Sequence, residues 1–183
     1  MGHAKLKAVK AVELLKLDLG CGKSKREGFI GVDTLDFEGV DQVVDLREPW
    51  PWKSGSVAEV HCSHFIEHLT ALERMHFVNE LHRVLTVGGK ALVITPYWAS
   101  NRAYGDLTHQ WPPVSEMWFY YLDKGWRAAN APHNESFYTC DFSITWGYGM
   151  RPDLQSRNTE YQQYAFQNYK DAILDMIATF VKR

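Results

Sequence analysis

Three clusters in this chain combine residue types and spacings that can do chemistry. The first is Lys16-Leu17-Asp18-Leu19-Gly20-Cys21-Gly22, an apolar run that enters Asp-x-Gly-x-Gly. Glycines lack a Cβ, so they permit a sharp turn after a buried strand and let a ligand lie against the main chain. Two further short runs end in acids at Asp33 and Asp45, and a fourth enters Cys62-Ser63-His64. A carboxylate at the end of a second strand can accept hydrogen bonds from two sugar hydroxyls. The second cluster is His64-Phe65-Ile66-Glu67-His68, whose H-x-x-E-H spacing on a helix would set two imidazoles around one zinc ion. The third is Gly105-Asp106-Leu107-Thr108-His109, where an imidazole with an acid close by forms a general-base pair or, equally, a loop-stabilising hydrogen-bond cluster.

The elements that must position these residues follow from the apolar pattern. Residues 14–19 and 30–33 read as buried parallel strands, 41–45 as a brief third, 57–62 as a fourth and 91–95, stopped by Pro96, as a fifth. Residues 71–85 read as an amphipathic helix with Leu72, Met75, Val78, Leu81, His82 and Leu85 toward one face, and Gly88-Gly89 is expected to end it. Strands alternating with helices predict an α/β fold with a mostly parallel sheet covered on both sides. Residues 20–29 are too short for the usual crossover helix, so the first crossover must be abbreviated. Residues 97–135 form an aromatic, loop-rich insertion with a short helix at 114–122, the expected lid or substrate segment. Beyond it, 137–146 reads as a strand and 160–174 as a helix. Residues 176–181 read as a strand, with one continuous helix to the C-terminus as the alternative.

Gly22 is followed by Lys23-Ser24-Lys25-Arg26-Glu27-Gly28 without a helical pattern, which departs from the Gly-x-Gly-x-x-Gly fingerprint of dinucleotide binding. The collinear segments "LDLGCG", "GFIGVD", "EHL", "RVLTVGG" and "GDLTH" instead resemble class I S-adenosylmethionine-dependent methyltransferases, in particular a small type-11-like group. The resemblance covers about residues 14–126 and, weakly, the tail. It implies a Rossmann-like three-layer sandwich closed by an antiparallel C-terminal strand beside the fifth. It also implies S-adenosylmethionine as cofactor and S-adenosylhomocysteine as product. Asp33 with Thr34 would then hold the ribose, Asp45 and Leu46 the adenine, and Asp18, Gly20, Cys21 and Gly22 the methionine end. Ser63 and His64 would stand near the transferring methyl. His109, oriented by Asp106, is the first candidate for the base that removes the acceptor's proton, and His64 the second. The Asn/Asp-Pro-Pro-Tyr segment of amino-methylating nucleic-acid enzymes is absent. In the rival zinc-peptidase reading, His64 and His68 bind the ion, Glu67 activates water and a downstream acid such as Glu135 completes the site. A cofactor-binding module without catalysis is the other alternative. The methyltransferase reading expects no metal.

Composition sets the remaining bounds. The 183 residues suit a single domain, and 45% apolar content suits a packed core. A formal charge of −2 gives no broad attraction for nucleic acid or anionic membrane, so a small-molecule acceptor is expected. The densest basic cluster is Lys23, Lys25 and Arg26, read as a solvated run or, in the minority case, a phosphate contact. Cys21, Cys62 and Cys140 show no Cys-x-x-Cys pair, which points to free thiols in a reducing cytoplasm. No run reaches the roughly 18 apolar residues of a membrane span.

Overall fold

The computed structural model describes residues 13–183. Seven strands form one sheet: β1 (Leu15–Leu19), β2 (Ile30–Asp33), β3 (Gln42–Val43), β4 (Val57–Ser63), β5 (Leu85–Pro96), β6 (Phe142–Met150) and β7 (Ile173–Lys182). Their order is β3-β2-β1-β4-β5-β7-β6. The first five run parallel, while β7 lies antiparallel between β5 and β6. Strand order reverses beside β1 and β4, so the crevice above their C-terminal ends is the natural ligand position in such a sheet.

Helix α1 (Ala71–Val84) is the long crossover, and it joins β4 to β5. It begins on a capping box in which Thr70 and Glu73 exchange side-chain and backbone hydrogen bonds. Phe77, Val78, Leu81 and Val84 are buried with Leu17, Val60, Cys62, Ala91, Val93, Ala178 and Phe180 in the main core. The buried stripe is turned from the expected one: Leu72 is exposed, and Arg74 is buried because four backbone carbonyls satisfy its guanidinium. Gly88-Gly89 does not end the helix. The chain turns extended at Leu85, which pairs with Val57, and the two glycines sit in the irregular start of β5. Gly89 has no room for a Cβ, which would lie 2.8 Å from the Thr86 carbonyl oxygen.

None of the first three crossovers contains a helix. In the one after β1, residues 20–29 fold back onto the ends of β1 and β4. There the Arg26 N–H donates to Asp18, and the Phe29 ring meets His61 edge-on. In the one after β3, Trp50 and Trp52 enter the core, and Arg83 clamps the carbonyls of both.

The insertion carries α2 (Arg102–Gly105), α3 (Glu116–Tyr120) and α4 (Lys124–Asn130). Its second half belongs to the core rather than hanging over it. Phe119 packs against Phe180 and Trp146, and Arg127, 2% exposed, donates to the carbonyls of Tyr121, Tyr138 and Cys140. Strand β6 starts at Phe142 rather than 137. The connection to β7 carries α5 (Pro152–Gln155) and α6 (Thr159–Asn168), so α6 ends before 174 and the C-terminal segment is the strand, not the helix. Its side chains explain the choice, since Ile173, Met176, Ala178 and Phe180 are buried while Ile177 is half exposed between two hydrogen-bonded neighbours.

Candidate functional site

The C-terminal edge of β1, β2 and β4 gathers most of the sequence-predicted residues. Gly20 and Gly22 both take positive φ, 68° and 52°, as the turn after β1 requires. They do different work. A Cβ on Gly20 would lie 2.5 Å from the Phe65 ring, so this glycine lets the segment after β4 close onto the turn. A Cβ on Gly22 would meet nothing within 4 Å, so its main chain faces open space. Between them Cys21 is buried, and burial with Asp18 and Asp33 nearby pushes its thiol pKa up. Its sulfur packs against Gly31, where an added Cβ would lie 3.0 Å from it.

Asp33 ends β2 and is tied to the turn. One carboxylate oxygen accepts from the Gly22 N–H at 2.9 Å and the other from the Leu35 N–H at 3.1 Å, with the Thr34 hydroxyl 3.5 Å away. Each oxygen retains acceptor capacity toward the open side. Asp45 is turned by Arg47, whose two-pronged hydrogen bonds of 2.9 and 2.7 Å hold the carboxyl below its usual range. Two expectations need correction. Leu46 is 1% exposed and lies in the core under Trp50, so its side chain has no free surface for a ring. Asp18 is 2% exposed, and both its oxygens are engaged, one with His61 Nδ1 at 2.6 Å and the other with the Arg26 N–H at 2.7 Å. It fastens the short crossover to β1 and β4 rather than facing the crevice. The basic cluster is likewise spent on structure: Lys25 pairs with Asp41, Lys23 lies over Phe37 and Arg26 over Phe29.

Ser63 ends β4, and His64 follows in a positive-φ conformation of 52°, rare for a residue with a side chain. His64 Nδ1 stands 3.3 Å from Glu67 Oε1, and the Glu67 carboxylate raises the imidazole pKa. Residues 66–68 make one 3-10 turn, so His64 and His68 do not share an α-helical face as a peptidase motif requires. Glu135 is exposed at the end of another such turn, 132–134. Asp106 does not orient His109. It accepts from the Thr108 backbone at 2.8 Å and hydroxyl at 2.7 Å, contacts that lower its pKa, and the same hydroxyl meets His68 Nδ1 at 2.9 Å. His109 Nδ1 instead points at the Ala103 carbonyl, 3.3 Å away, and its ring meets His68 with centroids 4.7 Å apart.

Sequence reasoning missed the residues that hold this corner together. Glu67 is 5% exposed, and Thr95 donates to its Oε2 at 3.3 Å. Arg74 binds the carbonyls of Ile66, Glu67, Gln110 and Pro112, and the Gln110 N–H donates to the Glu67 carbonyl. The available signal was an arginine three, four and seven residues before Phe77, Val78 and Leu81, which places it on the buried stripe. A cavity of about 690 Å³ opens past the end of β5, lined by Tyr97, Trp98, Tyr104, Phe166, Tyr169 and Lys170. Burial first, with Glu116 close by, pushes the Tyr97 hydroxyl pKa up to about 12.

No protein-family model matches the chain, and no curated protein does. Solved structures share its fold. The chain is similar to a SAM-dependent methyltransferase from Archaeoglobus fulgidus, with 17% identity, a TM-score of 0.66, and 92% of this chain and 86% of that chain covered. It is also similar to a geranyl diphosphate C-methyltransferase from Streptomyces coelicolor A3(2), with 16% identity, a TM-score of 0.57, and coverage of 93% and 71%. The [4+2]-cyclase SpnF matches with 16% identity, a TM-score of 0.53, and coverage of 92% and 75%. The chain thus shares the Rossmann-like α/β fold of these neighbours, two of them named as methyltransferases and one as a cyclase. Among the described residues no helix is long and apolar enough to cross a membrane, and the three cysteines are free and buried.

Proposed function

We propose that this protein is an S-adenosylmethionine-dependent methyltransferase acting on a small-molecule acceptor. The observation that carries the reading is the Asp33–Gly22 hydrogen bond of 2.9 Å, which brings the end of β2 and the glycine turn of β1 to one crevice. The fit to the cofactor rests on two features of that crevice: open space over Gly22, and carboxylate lone pairs of Asp33 not used by the protein. Asp33 with Thr34 would hold the ribose hydroxyls, Asp45 the adenine side, and the Gly20–Gly22 turn the methionine side. When bound, the cofactor's sulfonium would supply an electrophilic methyl carbon and a neutral thioether leaving group for displacement by the acceptor.

The protein's own work is alignment, exclusion of water and proton removal. His64 stands at the β4 end of the crevice, and with Nδ1 toward Glu67 its Nε2 is the atom left to accept the acceptor's proton. His109 and Asp106 contribute from the neighbouring polar corner rather than as a pair. The aromatic cavity past β5 suits an acceptor with a flat or apolar body, seated against Tyr97 and Trp98. Calorimetric titration with S-adenosylhomocysteine tests the reading. Micromolar, one-to-one binding is expected, and the absence of binding to folded protein would overturn it.

A further inference from the structure

We propose that Glu67, His68 and His109 form a binding site for one divalent transition-metal ion, with zinc the ion their chemistry suits best. One carboxylate oxygen and a ring nitrogen of each histidine lie within 4.8 Å of one another. Ligand atoms around a four-coordinate zinc at bond lengths of about 2.1 Å stand roughly 3.4 Å apart. The two imidazoles are only partly buried, so rotation of these side chains can close that gap.

Three features distinguish this cluster from an ordinary polar corner. Glu67 is 5% exposed, yet its Oε1 has no hydrogen-bond partner; His64 approaches it at 3.3 Å without forming one. A buried carboxylate oxygen without a partner is costly, and a cation beside it removes the cost. Both histidines have Nδ1 occupied by an outer acceptor, Thr108 Oγ1 for His68 and the Ala103 carbonyl for His109. Such contacts fix the tautomer that leaves Nε2 as a lone pair, and the Asp106 carboxylate behind Thr108 completes a carboxylate–hydroxyl–imidazole relay. Arg74 pins the backbones of the two ligand-bearing segments through Glu67 and Gln110, and its guanidinium is directed at carbonyls rather than at the Glu67 carboxylate. The segment that carries the carboxylate is thereby held in place, with Oε2 taken by Thr95 and Oε1 left without a hydrogen bond.

Imidazole and carboxylate ligands suit zinc and its neighbours, and three protein ligands leave a coordination position open. That position is where an oxygen of the acceptor would be held. This role rests on the methyl-transfer reading above; the binding of the ion does not. The third ligand, His109, is remote in sequence from the other two, so no short spacing announces the site.

The experiment is calorimetry of tag-free, chelator-treated protein with zinc chloride, and absorption spectroscopy with cobalt(II) as the visible probe. One equivalent is expected, with a cobalt spectrum of nitrogen and oxygen ligands and no thiolate band. His68→Ala and His109→Ala should each weaken zinc binding more than Thr108→Val, for which a loss of about 10–100-fold is expected. His76→Ala, a surface histidine on α1 bound to the Glu48 carbonyl, should change nothing. His68→Ala should keep its melting temperature without metal and its S-adenosylhomocysteine affinity, which separates failure of the ion site from failure of the cofactor site. No zinc binding, or binding that survives both His68→Ala and His109→Ala, would overturn the proposal.

Discussion

Replacing Asp33 separates a loop tie from a ligand site. In Asp33→Ala the Gly22 and Leu35 N–H groups lose their acceptor, at 2.9 and 3.1 Å. Both lie where water can replace it, so the cost to stability is about 1–2 kcal/mol in total. Two ribose hydroxyls donating to a charged carboxylate would together contribute about 3 kcal/mol, which is ~100-fold in Kd. Asp33→Asn keeps the shape but places an amide against the Gly22 N–H or against a hydroxyl, so it should fall between, at about tenfold. The assay is calorimetry with S-adenosylhomocysteine, alongside urea unfolding to measure the stability term separately. If folded Asp33→Ala binds within threefold of the parent while losing the expected stability, Asp33 only ties the turn to β2 and the reasoning about the crevice is wrong.

Gly20→Ala should destabilise by about 2–4 kcal/mol, roughly half from the positive-φ backbone and half from the Phe65 ring 2.5 Å from the new Cβ. In the Phe65→Ala background only the backbone part should remain, and an undiminished cost in a urea double-mutant cycle would refute the steric account. Arg127→Met leaves the carbonyls of Tyr121, Tyr138 and Cys140 without a donor and should cost about 3–5 kcal/mol, read from the unfolding midpoint; a loss under about 1 kcal/mol would show that the insertion does not depend on this clamp. His82 is held below its ordinary pKa by burial first and the Lys182 charge second. The folded state therefore binds fewer protons at that ring than the unfolded chain, so this contribution is complete above the unfolded value of about 6.5 and is lost as pH falls through the lower folded value. His82→Leu should flatten the decline in melting temperature between about pH 7 and pH 5, and an unchanged decline would assign the acid sensitivity to other groups.

What was legible in the sequence was what local chemistry encodes. Apolar runs ending in Gly20, Asp33 and Ser63 located the strands that frame the crevice, and Thr70 with Glu73 marked the start of α1. The alternation of Met176, Ala178 and Phe180 against Ile177 belongs to a strand buried on one face, and helical spacing of nearby Tyr169 and Ile173 competed with it only because pattern alone ignores the β5 edge waiting to be paired. What was not legible depends on partners far apart in the chain. Gly88-Gly89 looked like a helix stop because glycine serves both uses; only the pairing of Leu85 with Val57 decides that the strand has already begun. Asp18 looked like a ligand contact because nothing local reveals that His61, on β4, will take one of its oxygens. The polar corner shows the same limit more sharply. Only the rival zinc reading put His64-x-x-Glu67-His68 on a helix; in the fold Arg74 draws the carbonyls of Ile66 and Glu67 toward itself together with those of Gln110 and Pro112. One buried guanidinium therefore sets which imidazoles meet, joining His68 to His109 instead of to His64. Spacing along the chain assigns residues to elements, whereas the charge buried between elements decides which of them share a site.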